Sequence, residues 1–128
     1  MPRQPTRKTL VRNLDKAVSE FVRKRDKACV QCGTTQRLGC GHIFTRKNYS
    51  TRWDISGDGN CHTQCWPCNY SHGSDQWPYF KWYIEKFGQE AFDELRFRHK
   101  QTRKFKNFEL QELLDEIKSH LSGGCNKS

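Results

Sequence analysis

The sequence predicts an α+β fold in which a small metal-clipped core of hairpins and ordered loops is flanked by one helix before it and several after it. Apolar residues recur at spacings of three and four over residues 10–25 and again between 77 and 121, the period of an amphipathic helix. Between Cys29 and Gly73 no such period is sustained, and Cys-Gly and other Gly-containing turns separate short runs. This middle stretch also holds every cysteine except Cys125, including two C-x-x-C pairs.

Residues 1–9 are expected to be a basic, flexible N-terminus. Leu10, Leu14, Ala17, Val18, Phe21 and Val22 then define a helix of about Leu10 to Arg25, capped by Thr9 and basic on its opposite face. The middle segment is too polar to fold by burial alone, and a short helix is expected to start near Cys65. Asp75 is placed as the cap of a helix with Pro78 in its first turn, Tyr79, Trp82, Tyr83 and Phe87 on one face, and Gly88 as its stop. A further helix of about Gln89 to Arg98 buries Phe92 and Leu95. The last, from Asn107 to about Leu121, carries Leu110, Leu113, Leu114, Ile117 and Leu121 on one stripe and ends at Gly123-Gly124. Residues 10–122 thus form a single domain, and 123–128 a flexible tail with Cys125 as an idle thiol.

The chain of 128 residues carries 23 Lys and Arg against 14 Asp and Glu, a formal charge of +9. The excess sits in residues 1–27, with nine basic and three acidic side chains, whereas residues 28–75 are nearly neutral. Only 34% of residues are apolar, yet eight Phe, four Tyr and four Trp can bury a compact core, which argues against disorder throughout. There is no apolar run long enough to span a membrane and no apolar stretch behind the basic N-terminus, so an intracellular chain is expected. Seven cysteines in such a compartment point to metal binding rather than disulfides.

Cys29-x-x-Cys32-Gly33 and Cys65-x-x-Cys68 are two knuckles whose four thiolates match the closed tetrahedral shell of structural Zn²⁺. A metal held there would replace the missing apolar core. Cys40 and Cys61 remain over, read as small buried hydrophobes. Between and after the knuckles stand Gly41-His42, Asn60-Cys61-His62, Asn69 and His72. An imidazole that is neutral near pH 7 can take a proton from water, and a hard divalent cation held by Asn or His can stabilise a leaving oxyanion. That combination hydrolyses phosphodiesters.

Cys29-x-x-Cys32, Cys40-Gly41-His42-Ile43, Asn60-x-His62-x-Gln64-Cys65-x-x-Cys68-Asn69 and Gly88-Gln89-Glu90-Ala91-Phe92-Asp93-Glu94-Leu95 together resemble the NinG/Rap recombination endonucleases of lambdoid phages. The resemblance runs from about Leu10 to Leu121. It implies an HNH-type nuclease with a ββα-metal, treble-clef core, acting on branched DNA such as Holliday junctions and D-loops in the cytoplasm of the infected bacterium. It also implies His42 as general base with Asn60 and His62 in the catalytic set, Asn60 orienting the loop. Asn69 and His72 would hold a catalytic Mg²⁺ or Mn²⁺. Gly41 and Cys40 stand where relatives carry an acid, so the first metal ligand stays open among Cys40 with a softer metal, His62 and His72. Branched DNA is the implied partner; a second copy of the chain and other phage recombination proteins are left open, and no membrane is expected.

Arg96, Arg98, Lys100, Arg103, Lys104 and Lys106 form a run without an acid. With Arg46, Lys47 and Arg52 after His42 and the basic face of the first helix, they are expected to neutralise phosphates, giving salt-sensitive binding by DNA shape rather than sequence. His99 is expected either at phosphate or simply at the surface, and His120 as a dipole partner in its helix. The alternatives are a non-catalytic zinc-stabilised DNA-binding module and an RNase on the same core.

Overall fold

The computed structural model describes residues 4–126, with side chains to residue 122. Its first helix, α1 (Arg7–Asp26), starts a turn earlier than its apolar stripe does. Thr6, not Thr9, is the cap: its hydroxyl accepts the Thr9 N–H at 3.1 Å, so the turn begins where an orphan donor finds a partner rather than where burial begins. The expectation of flexible residues 1–9 is corrected in the same way from Thr6 onward, while residues 1–3 lie outside the described part. Lys27 ends the helix in the left-handed region, at φ 66°, and donates its N–H to the Arg23 carbonyl.

Two strands, β1 (Leu38–His42) and β2 (Cys61–Cys65), pair antiparallel with Cys40 opposite Thr63, Gly41 opposite His62 and His42 opposite Cys61. Their connection contains one turn of helix, α2 (Tyr49–Arg52), which is too short for any periodicity to announce. β2 runs directly into α3 (Trp66–Ser74), for which Cys65 stands at the cap position. Next come α4 (Trp77–Phe87), stopped by Gly88 at φ 99°, and α5 (Gln89–Lys100). Asp75 accepts the Trp77 N–H at 3.2 Å from just before α4, though Gln76 occupies the cap position itself. α6 (Asn107–Asn126) continues past Gly123-Gly124, which do not stop it; the side chain of Cys125 lies outside the described part.

Alternation along a strand sends successive side chains to opposite faces. One face of the hairpin, with Cys40 and Cys61, therefore meets α1 and α6 in a cluster built on Leu10, Leu14, Val18, Val22, Trp53, Leu110, Leu114 and Ile117. A second cluster joins Ile43 and Phe44, at the end of β1, to Tyr79, Tyr83, Phe92 and Leu95 of α4 and α5. This corrects the reading of a middle segment without a core. The segment is polar in composition because its buried members include Thr51, Asn60, His62, Thr63 and Gln64, and helices from both sides supply the apolar partners. No helix among the described residues is long and apolar enough to cross a membrane.

Candidate functional site

The two knuckles meet. The sulfurs of Cys29, Cys32, Cys65 and Cys68 all lie within 4.8 Å of one another. The first knuckle is folded by Gly33, whose φ of 81° suits glycine and whose N–H bonds to the Cys29 carbonyl at 2.9 Å. It is fastened to the second strand by the Val30 N–H on the Thr63 carbonyl at 3.0 Å. Burial raises the Cys29 thiol, but the N–H groups of Cys65, Cys32 and Gln31 and the Cys32 side chain outweigh it and bring Cys29 down to about 7. Burial and the neighbouring thiols push Cys65 and Cys68 up. A set of four soft donors with N–H groups aimed at one sulfur fits a structural metal such as zinc.

At the far end of the hairpin, His42 is half-buried and its Nε2 lies 3.0 Å from the Arg52 carbonyl. A carbonyl can only accept, so Nε2 carries the proton and Nδ1 keeps its lone pair. Burial is the main cause that lowers the His42 pKa, against the opposing pull of the Arg52 carbonyl and Asp15. The backbone around it is pinned from several sides. Asn60, fully buried, accepts the Phe44 N–H at 2.8 Å and donates to the Phe44 carbonyl at 2.9 Å. His72 donates from Nε2 to the Ile43 carbonyl at 3.0 Å, and the Tyr79 hydroxyl donates to the Gly41 carbonyl at 2.9 Å. A side chain at Gly41 would fall on the Gln64 amide, itself held by Gln31 at 2.6 Å, which gives a steric reason for the Gly-His step.

The remaining candidates separate. With its proton on Nε2, His72 leaves Nδ1 as a lone pair that is buried without a partner among the described residues. Asn69 sits exposed one turn earlier on α3. His62 is corrected from a catalytic to a structural position. Arg25 donates to its Nδ1 at 3.2 Å, and its Nε2 donates to the Gly59 carbonyl at 2.7 Å, so neither nitrogen is free to exchange a proton. Burial, opposed by that carbonyl, lowers its pKa to about 4.

Cys40 and Cys61 pack into the cluster with α1 and α6 as expected of small hydrophobes, and their sulfurs and a ring nitrogen of His42 also lie within 4.8 Å of one another. Sequence reasoning did not join these three. The signal was there in the i, i+2 spacing of Cys40 and His42, which puts both on one face of a strand, but the register that brings in Cys61 was not.

The basic residues divide as well. Arg52 grips Asp15 with two bonds of 2.6 and 3.0 Å, Arg98 pairs with Asp54 at 2.8 Å, and Arg103 lies 4.3 Å over the Phe105 ring and 3.5 Å from Glu109. Arg52 is thereby corrected from a phosphate contact to a structural clamp. Arg46, Lys47, Arg96, Lys100, Lys104 and Lys106 remain exposed. Of these, Lys47 and Lys100 line, with Arg103, a shallow cavity of about 290 Å³ where the loop after His42 meets the end of α5. His99 fastens that junction: its carbonyl accepts from Asn48 and Ser50 at 2.9 Å each, and its Nδ1 meets the Thr51 hydroxyl at 3.0 Å. His120 stands edge-on to Phe21, ring centroids 6.2 Å apart.

Comparison with known proteins adds what geometry cannot. Protein ninG of Escherichia phage 933W is 33% identical over 98 residues, covering 73% of this chain and 47% of that protein. Protein ninG of Escherichia phage lambda is 31% identical over 97 residues with the same coverage. The chain therefore spans about half the length of the curated relatives it matches. No solved structure matches it. The family model described as bacteriophage lambda NinG protein matches residues 4–123, a span that takes in the four-cysteine cluster, the pinned His42 turn and the helices that bury both, and on that match this chain belongs to the NinG family.

Proposed function

We propose that the protein is a metal-dependent DNA endonuclease of the HNH type, hydrolysing phosphodiester bonds in branched recombination intermediates such as Holliday junctions and D-loops. The observation that carries this reading is the His42 turn: a neutral imidazole with one lone pair left over, on a strand end that Asn60, His72 and Tyr79 hold in place. The order of hairpin then helix, with a cysteine cluster at the hairpin's base, supports a ββα-metal reading, and Zn²⁺ is the metal proposed for Cys29, Cys32, Cys65 and Cys68.

In this mechanism Nδ1 of His42 takes a proton from water, and the resulting hydroxide attacks phosphorus as the opposite P–O ester bond breaks. Asn60 acts by fixing the loop. Asn69 and His72 would hold Mg²⁺ or Mn²⁺, with His72 turning its buried Nδ1 toward the ion, and the cation would supply positive charge to the leaving oxygen. Exposed Arg46, Lys47, Arg96, Lys100, Lys104 and Lys106 supply the phosphate contacts. The setting proposed is the cytoplasm of the infected host, with other phage recombination proteins or a second copy of the chain as partners.

A nicking assay on a four-way junction, linear duplex and RNA, each with Mg²⁺, Mn²⁺ or EDTA, tests the reading. Expected are metal-dependent cuts in the junction first, falling by about 10²–10⁴ in His42→Ala while junction binding persists. A second reading, a non-catalytic zinc-stabilised DNA-binding module, is favoured by the absence of any carboxylate at positions 39–41. Junction binding with no cleavage in any metal would establish it.

A further inference from the structure

We propose that Cys40, His42 and Cys61 form a second metal site, distinct from the four-cysteine cluster, that takes one thiophilic divalent cation of the zinc class. The three ligand atoms lie within 4.8 Å of one another on one face of the hairpin. The pairing produces this directly: Cys40 and His42 alternate onto the same face of β1, and Cys61 is the cross-strand partner of His42. Two of the three side chains are already held together, since Sγ of Cys61 at 3.3 Å and the protonated Nε2 of His42 at 3.0 Å both donate to the Arg52 carbonyl. The imidazole meets a cation through whichever ring nitrogen carries the lone pair, its proton moving to the other where needed.

The donor chemistry selects the ion. Two sulfurs and an imidazole suit Zn²⁺ and other soft cations, and they reject Mg²⁺ and Mn²⁺, which prefer oxygen. Charge makes the site compatible with its surroundings. Cys61 is fully buried, where a lone thiolate is costly, but two thiolates with a divalent cation sum to zero. Binding converts each S–H to a metal–sulfur bond and releases one proton per thiol to solvent, with no change of oxidation state. Among the described residues no fourth His, Cys, Asp or Glu joins the group, so the fourth position falls to a backbone carbonyl or a solvent ligand.

The cation would occupy the imidazole assigned above as general base, so zinc in excess of the structural site should inhibit cleavage supported by Mg²⁺. This consequence rests on the nuclease reading, whereas the binding itself does not.

Cobalt is the probe. The metal-free 128-residue chain, kept reduced, is titrated with Co²⁺ and followed by thiolate-to-cobalt charge-transfer absorption. Two equivalents are expected for the wild type, and one for Cys40→Ala, with the band of the four-cysteine site unchanged. Because Cys61 is packed in the core, the second variant is His42→Ala at a half-buried position. It should weaken the second equivalent by more than the roughly 10–100-fold that loss of an outer-shell partner costs. A single equivalent in the wild type, a second equivalent that survives both variants, or a mass 2 Da low that shows a Cys40–Cys61 disulfide in the reduced protein would each overturn the site. A wild type that binds two cobalt ions but cuts no DNA in any metal would refute the nuclease reading and leave the site standing.

Discussion

Asp15 looks, in the sequence, like one acid among the basic side chains of the first helix. In the fold it accepts from Arg52 through both oxygens and from the Trp53 indole at 2.8 Å. Burial raises its pKa, but these hydrogen bonds and the charges of Arg52 and Arg46 outweigh burial and hold it below 3.8. A carboxylate lowered in this way stabilises the fold fully above its unfolded value and ceases to do so as pH falls through the folded one. Asp15→Asn should therefore cost about 1–3 kcal/mol at pH 7. In urea unfolding the gap to wild type should hold down to about pH 3.8 and shrink below it. A gap that instead grows in acid would show that the clamp is not ionic. Gly41 is the other decisive residue. Gly41→Ala should destabilise by about 1–3 kcal/mol by driving a Cβ into the Gln64 amide, and Gln64→Ala in the same chain should recover part of that loss. The roles of single residues were unevenly legible. Cysteine spacing announced the four-cysteine cluster because four thiols at two short intervals have few uses other than holding a metal. The fates of Arg52 and His62 were not legible, because each is decided by a partner, Asp15 or Arg25, that is 37 positions away in sequence.

Helices were the elements most open to sequence reading, since each needs only its own stripe. The stripes of α1, α4, α5 and α6, Leu121 apart, are the residues that the two clusters bury or that pack against them. Their ends were less legible, because Thr6 owes its position to a hydrogen bond and not to burial, and Gln76 caps α4 with no side-chain bond at all. Thr6→Ala should cost about 1 kcal/mol in thermal or urea unfolding. The hairpin's register was hidden, and with it the meeting of Cys40, His42 and Cys61. α2 was hidden as well, although it carries the loop that joins the end of α5. Since His99 ties that loop to α5, Lys47 and Lys100 present their charges from one surface. Lys47→Ala/Lys100→Ala should weaken binding to a DNA junction and reduce the slope of log affinity against log salt by about 2. Arg52→Ala should lower stability by breaking the Asp15 clamp, so a variant that changed only affinity would return Arg52 to the DNA surface.

For the molecule as a whole, the cysteine cluster ties the segment before β1 to the start of α3, while the hairpin between them is shared by two apolar clusters. Chelation should therefore lower the unfolding temperature by many degrees in one transition, and Cys65→Ser/Cys68→Ser should imitate the chelated protein and become insensitive to chelator. Full stability of that variant would show that the cluster holds nothing together. The two clusters differ in how far along the chain their parts are drawn. Ile43, Phe44, α4 and α5 come from one continuous stretch, but α1 completes its packing only against α6. During synthesis, then, the apolar stripe of α1 leaves the ribosome well before its partner α6 and waits for it. Leu10, Leu14, Val18 and Val22 are the surface that a chaperone would meet on the nascent chain until α6 has left the ribosome.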